Sequence, residues 1–298
     1  MVLEKRDLQY QVLVRVQVKS NSIYFYNKGG TMNNKYELGM RMYLENNKSL
    51  TQISKEIHVS RGRLAQYIKN AGCKVINKQN ESDDIVSDIF ENINTEEKAY
   101  WLGFLYADGY ISKNTNNVEL ALQEKDKEHL EKFKKFLNTK NKICYRPKTN
   151  SYRIMINNKQ LHESLVKQGC FNCKSLTMKF PTENQVPSYL LKHFVRGYVD
   201  GDGYVGITYY NSEDEKTKHG RLSLTCGSEQ FILEIIKSMN WEPKKIKKDK
   251  RSNALTVEWN NYNVYYKLKT LYEDANIYLT RKYQKFIELH NAVLNQKS

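Results

Sequence analysis

The sequence predicts an α+β fold in which two pseudo-symmetric αββαββα repeats follow a small helical N-terminal domain. The first observation is a pair of similar peptides whose aspartates, Asp108 and Asp202, lie 94 residues apart. The second is that segments of strand and helix periodicity follow each peptide in the same order. The third is a separate stretch of helical periodicity, residues 31–76, that precedes both copies.

Residues 1–30 form an N-terminal strand segment to which we assign no role. Apolar and polar residues alternate with period two over residues 8–18, which is typical of a strand. The apolar stretch 23–26 can pair with that strand across a short turn. A glycine pair at 29–30 then indicates a linker.

Residues 31–76 predict three helices, over 34–45, 50–57 and 61–71, with a tight turn at 58–60. An apolar set joins the last two helices across this turn: Ile53, Ile57, Val59, Leu64 and Ile68. Ser60 is placed to cap the third helix with its hydroxyl. The stretch therefore has the pattern of two helices, the second and the third, that pack across a short turn. The polar face of the third helix is left open to a ligand.

The polar face of the third helix carries side chains that reach base edges in the major groove of DNA. The candidates for DNA binding are Arg61, Arg63, Gln66 and Lys69. The stretch resembles a helix-turn-helix of resolvases and regulators. It departs from that pattern at Ser54, where a small Ala is usual, and at His58, where Gly is usual. An ordinary three-helix bundle or a protein-binding helix pair is the alternative.

A polar, acidic stretch, residues 77–94, is interpreted as a linker, and the repeats then occupy residues 95–186 and 187–298. After the peptides at 100–110 and 194–204, each copy predicts two strands, a helix, two strands and a helix. The corresponding segments in the two copies are 117–123 and 221–226, 127–137 and 231–239, 143–147 and 245–249, and 152–157 and 255–259.

The repeated peptides are apolar on nearly every side, which predicts buried helices. Gly103 and Gly197 stand in mid-helix, where glycine costs about 1 kcal/mol relative to alanine. This cost at the same position in both copies indicates close approach of two helices. Each helix ends in Asp-Gly, and the glycine is expected to adopt a left-handed conformation.

The aspartates Asp108 and Asp202 are thereby left at helix C-termini, where the helix dipole disfavours a carboxylate. If the two helices pack together, these acids lie side by side, and a divalent cation would offset their repulsion. Carboxylate oxygens suit Mg²⁺, which serves metal-assisted displacement at phosphorus. The net charge of +15 makes nucleic acid the first partner to consider.

The two peptides, WLGFLYADG (101–109) and VRGYVDGDG (195–203), resemble the LAGLIDADG motif of homing endonucleases. The resemblance covers residues 95–290 and implies saddle-shaped antiparallel sheets in a single-chain, monomeric enzyme. It also implies double-strand breaks at a specific, long and asymmetric DNA site, with Mg²⁺ as cofactor and Mn²⁺ able to substitute. The motif's metal-binding acid maps onto Asp108 and Asp202. The sixth position is Tyr106 in one copy and Asp200 in the other, so Asp200 is not expected to be a ligand.

The family also places basic residues near the active site, in segments similar to residues 173–180 and 279–286. That mapping implies that Lys174 and either Arg281 or Lys282 stabilise phosphate charge or position water. The alternative is that these are ordinary surface cations among 48 lysines and arginines. Gln123 and Asp126 are weaker candidates for polar groups around the active centre.

The outward faces of the predicted strands provide a second set of DNA-binding candidates, because polar faces of twisted sheets can lie along the major groove. These candidates are Gln123, Arg146, Arg153, Arg221, Lys245 and Lys247. An intron maturase that binds RNA, or a DNA-binding regulator with the same fold, are the alternatives to an endonuclease. No secretory signal or transmembrane segment is evident, which predicts a cytoplasmic, nucleoid-associated protein.

Overall fold

A computed structural model describes residues 15–18, 21–24, 34–45, 48–73, 75, 85–171, 177–211, 216–249 and 254–295. The chain divides into two compact units, residues 1–80 and residues 81–298. Within the described residues, no helix has the length and apolar character needed to cross a membrane.

The first unit begins with two antiparallel strands, β1 (Arg15–Val18) and β2 (Asn21–Tyr24). The remainder of the strand expected over residues 8–18 lies outside the described residues. Three helices follow, α1 (Asn34–Glu45), α2 (Leu50–Glu56) and α3 (Arg61–Asn70). Their bounds agree with the sequence prediction to within one residue.

The turn between α2 and α3 explains why glycine is usual at its centre. His58 has a φ of 54°, in the left-handed region that favours glycine. Ile53, Leu64 and Ile68 are fully buried around this turn, as predicted. The cap expected from Ser60 is wrong, because its side chain makes no capping hydrogen bond.

The second unit contains two copies of the same order of elements. The first copy consists of α4 (Glu96–Asp108), β3 (Gly109–Ile111), β4 (Asn117–Gln123), α5 (Lys127–Phe136), β5 (Cys144–Arg146), β6 (Ser151–Asn157) and α6 (Lys159–Lys167). The second consists of α7 (Leu191–Asp202), β7 (Tyr204–Asn211), β8 (Lys216–Cys226), α8 (Glu229–Ser238), β9 (Lys247–Lys248), β10 (Leu255–Trp259) and α9 (Val264–Tyr272). A further helix, α10 (Thr280–Asn295), follows the αββαββα elements of the second copy and lies within its predicted range, 187–298.

The two antiparallel sheets have equivalent topologies, β3-β4-β6-β5 and β7-β8-β10-β9. The predicted α+β fold with two αββαββα repeats is therefore confirmed. Alternation along the strands places the core as the sequence indicated: Val118, Leu120 and Leu122 of β4 are buried. In the second copy, Leu222 and Leu224 of β8 are fully buried at the equivalent positions. One face of each sheet therefore packs on the helices and the other face is left for polar side chains.

The central feature of this unit is the contact between α4 and α7, whose residues are buried over most of their length. A Cβ added to Gly197 would lie 1.9 Å from the carbonyl oxygen of Tyr100. Only glycine permits such an approach between two backbones. The close helix contact predicted from the two mid-helix glycines is confirmed.

The glycines that end these two helices differ from the sequence expectation. Gly109 has a φ of −72° and Gly203 a φ of −79°, so both are extended rather than left-handed. The left-handed assignment is wrong because a sheet strand begins immediately after each helix. Glycine is still required for space, since a Cβ at either position would lie 2.6 Å from the carbonyl oxygen of Leu105 or Val199.

Candidate active site and nucleic-acid interface

The paired acids lie at the matching ends of the two central helices. Asp108 and Asp202 are the last residues of α4 and α7, and both side chains are exposed. Gly201 faces the end of α4 closely, since a Cβ there would lie 3.3 Å from Oδ2 of Asp108. The packing of α4 against α7 therefore brings the Asp108 carboxylate next to the residue that precedes Asp202.

The charges of both acids act on one buried tyrosine, Tyr198. The Tyr198 hydroxyl donates a hydrogen bond to the carbonyl oxygen of Thr225 at 2.9 Å. Burial raises the pKa of Tyr198 well above its usual range, and the charges of Asp202 and Asp108 raise this pKa further. Both carboxylates thus act on one side chain, which supports their proximity.

The two acids suit a hard cation that takes its remaining ligands from water or substrate and not from the protein. Among the described residues, no group of three or more His, Cys, Asp or Glu side chains could hold a metal. Mg²⁺ is commonly bound through one or two carboxylates, with waters and phosphate oxygens completing its octahedron. Two exposed carboxylates at adjoining helix ends fit that pattern and do not fit a closed protein cage.

Lys282 has an unexpected position for a cation mapped to the active site. Its side chain is 2% exposed, and Nζ donates to the backbone carbonyls at the end of α7. The acceptors are the carbonyl oxygens of Val199 at 2.7 Å, Asp200 at 2.8 Å, Gly201 at 3.4 Å and Gly203 at 2.5 Å. Burial lowers the pKa of Lys282 to about 8. A lysine at a helix C-terminus stabilises the unpaired carbonyls and the negative end of the dipole.

Asp200 faces the interior, in contrast to its neighbour Asp202. Its carboxylate accepts hydrogen bonds from the Tyr100 hydroxyl at 2.8 Å, the Tyr272 hydroxyl at 2.6 Å and the Leu279 amide at 2.7 Å. Burial raises the pKa of Asp200, whereas the charge of Lys282 and these hydrogen bonds act in the opposite direction. The side chain joins α4, α7, α9 and the start of α10, which is a structural role.

The equivalent residue of the first copy also points inward. The Tyr106 hydroxyl donates to the carbonyl oxygen of Gln168 at 2.6 Å, just beyond the end of α6. The sixth motif position therefore links each central helix to the end of its own copy's last repeat helix. Sequence reasoning did not find these partners, because they are separated from the motif by 62 residues for Tyr106 and 72 for Asp200 with Tyr272.

Arg281 makes an ion pair with Asp126, which comes from the other repeat. Nε of Arg281 donates to Oδ1 of Asp126 at 2.9 Å and to Oδ2 at 3.1 Å. The Asp126 side chain is 8% exposed, whereas that of Arg281 is 43% exposed. The other basic candidate, Lys174, lies outside the described residues, and Gln123 is exposed at the end of β4.

Several sheet candidates occur in ion pairs with glutamates that the sequence analysis had not selected. On the first sheet, Arg146 and Arg153 each lie 3.0 Å from a carboxylate oxygen of Glu119. On the second sheet, Arg221 lies 2.7 Å from Glu258. Strand alternation places Glu119 on the outward face, and that signal could have identified it. Lys247, in the edge strand β9 of the second sheet, and Lys245, just before it, are both exposed.

The helix-turn-helix candidates all lie on the exposed side of α3. Arg61, Arg63, Gln66 and Lys69 are exposed, whereas Leu64 and Ile68 on the opposite side are fully buried. The Gln66 amide donates to Asn70 Oδ1 at 2.8 Å, which holds one polar pair on this face. The geometry is compatible with a recognition helix, and DNA binding by this unit stays a prediction.

The two repeats and their paired acids resemble a two-motif protein of the LAGLIDADG class. Residues 95–168 match the model of the family described as a LAGLIDADG-like domain. The family resemblance inferred from the motifs is therefore confirmed. No curated protein matches the chain.

Solved structures of LAGLIDADG endonucleases have a similar fold. The meganuclease I-SmaMI bound to uncleavable DNA with a TTCT central four is 13% identical, with 68% of this chain and 92% of that chain covered and a TM-score of 0.50. For I-SmaMI bound to an uncleaved DNA target in the presence of calcium ions, the identity is 14%, the coverage 69% and 92%, and the TM-score 0.49. For the I-LtrWI homing endonuclease bound to target DNA, these values are 15%, 69% and 89%, and 0.47.

Proposed function

We propose that this protein is a site-specific homing endonuclease that makes double-strand breaks in DNA by metal-assisted phosphodiester hydrolysis. The observation that carries the proposal is the pair of exposed acids, Asp108 and Asp202, at the adjoining ends of two helices in backbone contact. Neither acid contributes to the core, whereas the neighbouring Asp200 is buried and fully engaged. The presence of two exposed carboxylates at helix C-termini, where the dipole disfavours them, supports a functional requirement.

Asp108 and Asp202 would hold Mg²⁺, for which Mn²⁺ can substitute. When bound, the cation supplies Lewis-acid stabilisation of the phosphate and lowers the pKa of its water. The protein's own contribution is to fix the two carboxylates through the α4–α7 contact.

The outward faces of the sheets supply the DNA-binding surface, and they differ between the copies. The first sheet presents two arginines around Glu119, whereas the second presents the pair of Arg221 and Glu258. Different side chains on the two halves favour a long, asymmetric target. Because one chain carries both motif copies, the active unit is a monomer.

We also propose that residues 31–76 act as a separate DNA-binding module, joined to the repeats 95–186 and 187–298 through the stretch 77–94. The linker expected over this stretch is too long, because Ile89, Phe90 and Ile93 are buried in the core of the second unit. The exposed polar face of α3 supports this role. A tethered second module raises affinity through effective concentration and requires no new contacts at the cleavage centre. It should therefore lengthen the protected DNA sequence and leave the chemistry to the repeats.

The test begins with selection of a cleavable site from a randomised duplex library in Mg²⁺. Asp108→Asn and Asp202→Asn should each lower the single-turnover cleavage rate of that site by about 1,000-fold, the scale on which active-site charge stabilisation acts. Binding in Ca²⁺ should persist, because phosphate and base contacts elsewhere supply most of the affinity. Glu163→Gln, on the exposed side of α6, is the control and should cut like the parent. If both aspartate variants also cut like the parent, the proposed mechanism is wrong.

A further inference from the structure

The helices α5 and α8 hold the same place in the two copies but differ in charge. Asn138 and Asn240 follow these helices with φ values of 51° and 50°, in the left-handed region, and this shared turn aligns the two copies. The alignment leaves three lysines of the first copy without a basic counterpart: Lys132, Lys134 and Lys140 correspond to Glu234, Ile236 and Glu242. The turn and the fold of the repeat therefore do not require these lysines.

The outer side of α5 faces away from the first sheet. Leu130 and Phe133 are fully or almost fully buried on the inner side, where α5 packs on β4 and β6. Lys135 lies on the outer side and is exposed. The polar face of the sheet is the one that α5 does not cover, because successive strand residues point to opposite faces. A ligand on the outer side of α5 therefore does not compete for the sheet surface proposed to hold duplex DNA.

Two clefts on the outer side of α5 meet at Lys135. The first has a volume of about 570 Å³ and lies at the end of the helix, and its cations are Lys134, Lys135 and Lys140. The second has a volume of about 740 Å³ and lies between α5 and the start of α4, and its cations are Lys98, Lys132 and Lys135. Positive charge concentrated in adjoining concave surfaces attracts a polyanion.

The glutamates that share these clefts leave the lysines in excess. Glu96 already accepts hydrogen bonds from Arg196 at 2.6 Å and from the Asn276 backbone amide at 2.8 Å. Glu97 and Glu131 are exposed, one in each cleft. Exposed carboxylates stay hydrated and screen the neighbouring lysines only weakly. The clefts thus keep their positive character.

Aromatic rings line the second cleft beside its lysines. Tyr278 stacks on Tyr283 with ring centroids 3.8 Å apart and an interplanar angle of 11°, and this stacking fixes its orientation. Lys132 Nζ lies 5.7 Å from the centroid of the Tyr278 ring, and Phe136 lines the same cleft. Cations that meet phosphates, next to rings on which bases stack, are the combination that binds an unpaired strand. Duplex DNA offers such a ring no free base face, because its bases are stacked on one another.

We propose that the two clefts around Lys135 form a second nucleic-acid site, which binds a single strand. The lysines bind its backbone phosphates, and a base stacks on Tyr278. This site lies away from the paired acids and from the polar sheet faces, so the inference goes beyond the proposed cleavage activity and does not depend on it. A strand on α5 and a duplex on the sheets can be bound at the same time.

The first test measures binding of labelled dT12 and rU12 to the full-length protein by fluorescence anisotropy, in EDTA and over a series of salt concentrations. Lys134→Gln, Lys135→Gln and Lys140→Gln combined should weaken binding by about 10-fold or more at about 0.1 M salt. The slope of log K against log salt should fall by about two, because each phosphate contact of a single strand contributes roughly 0.7. The matched control replaces three exposed lysines elsewhere by glutamine and should change neither value: Lys159, Lys167 and Lys237.

The second test separates stacking from charge. Tyr278→Leu keeps an apolar side chain and should weaken dT12 binding by about 10-fold with an unchanged salt slope, because a stacked base is lost and no phosphate contact is. A twelve-residue polyglutamate peptide should compete at least about 10-fold less well than unlabelled dT12, since it has no bases. Equal competition would assign the clefts to an acidic protein and overturn the proposal.

The remaining outcomes identify the strand and its position. Tighter binding of rU12 than of dT12 would support an RNA strand recognised through its 2′-hydroxyls, and equal affinities would support a strand of either sugar. Unchanged affinities in the triple lysine variant would overturn the site. So would release of bound dT12 by a saturating amount of the selected duplex in Ca²⁺, because the strand would then occupy the sheets. If no duplex is cut, the proposed function fails while the strand-binding result stands.

Discussion

Gly103 of α4 lies directly against the backbone of Phe194 in α7, so that a Cβ on Gly103 would stand 2.0 Å from the Phe194 carbonyl oxygen. The reciprocal contact joins Gly197 of α7 to Tyr100 of α4, and the two contacts are related by the internal pseudo-twofold. Each glycine precedes its motif acid by five residues, Asp108 and Asp202 respectively. The backbone contact thus sets the separation of the helices that carry the two carboxylates.

Replacement of Gly197 by alanine should destabilise the second unit by more than the roughly 1–3 kcal/mol typical of an overpacked core. The reason is that the new methyl group meets backbone atoms of Tyr100 and Phe104, which cannot rotate away. Urea denaturation, followed by circular dichroism, measures the loss. Gly62→Ala is the control. The nearest atom to its new Cβ would be Ser60 Oγ, at 3.9 Å. An unchanged midpoint for Gly197→Ala would contradict the close contact.

Asp200→Leu should strongly destabilise the protein, and Asp200→Asn should do so much less. Leucine leaves the hydroxyls of Tyr100 and Tyr272 and the amide of Leu279 without their acceptor, at about 1–3 kcal/mol for each buried group. Asparagine keeps an acceptor oxygen and removes the buried charge. The Tm of the two variants distinguishes them. Equal losses would show that the charge, and not hydrogen-bond acceptance, is what this site requires.

Glu288 should make the stability of the second unit depend on pH in the acid range. The Tyr209 hydroxyl, with Lys285 and Lys218, holds the pKa of Glu288 down to about 2, below its ordinary 4.5. The unfolded chain therefore takes up this proton first as the pH falls. The stabilisation is complete above pH 4.5 and is lost as the pH falls toward 2.

The variant that tests this dependence is Glu288→Gln, which keeps the size of the side chain and cannot ionise. Chemical denaturation at a series of pH values should show a shallower loss of stability across this window for Glu288→Gln than for the parent. The Lys285→Met variant should fall between them, because it removes only one of the three groups that hold Glu288 ionised. Parallel curves for the parent and Glu288→Gln would contradict the assignment.

The exposed face of α3 should affect the extent of DNA contact but not the rate of its cleavage. Simultaneous substitution of Arg61, Arg63 and Lys69 by alanine should weaken binding and shorten the footprint, because three phosphate- or base-contacting cations are lost. The single-turnover rate at saturating protein should stay that of the parent. Footprinting beside cleavage kinetics gives both values. Lys55→Ala on α2 is the control. An unchanged footprint in the triple variant would contradict the proposed role of the module.

Local pattern in the sequence determined the order of the elements, the buried faces of the strands and the pair of motif aspartates. Period-two alternation indicates which face of a strand is buried, and Val118 and Leu120 are buried as this pattern predicts. Internal repetition then strengthened the assignment of single residues, because a glycine or an acid found at the same position in two copies indicates a shared structural role. The helix contact through Gly103 and Gly197 followed from that repetition.

Tertiary structure alone decided which distant polar groups meet. Arg281 and Asp126 are 155 residues apart, and no periodicity links them. The burial of Lys282 against the end of α7 could not be predicted from the sequence around it. That sequence is rich in basic residues, as an exposed segment usually is. The extended conformation of Gly109 likewise follows from the pairing of β3 with β4. Hydrogen bonds and ion pairs depend on positions to within a fraction of an ångström, and only the packed chain determines such positions.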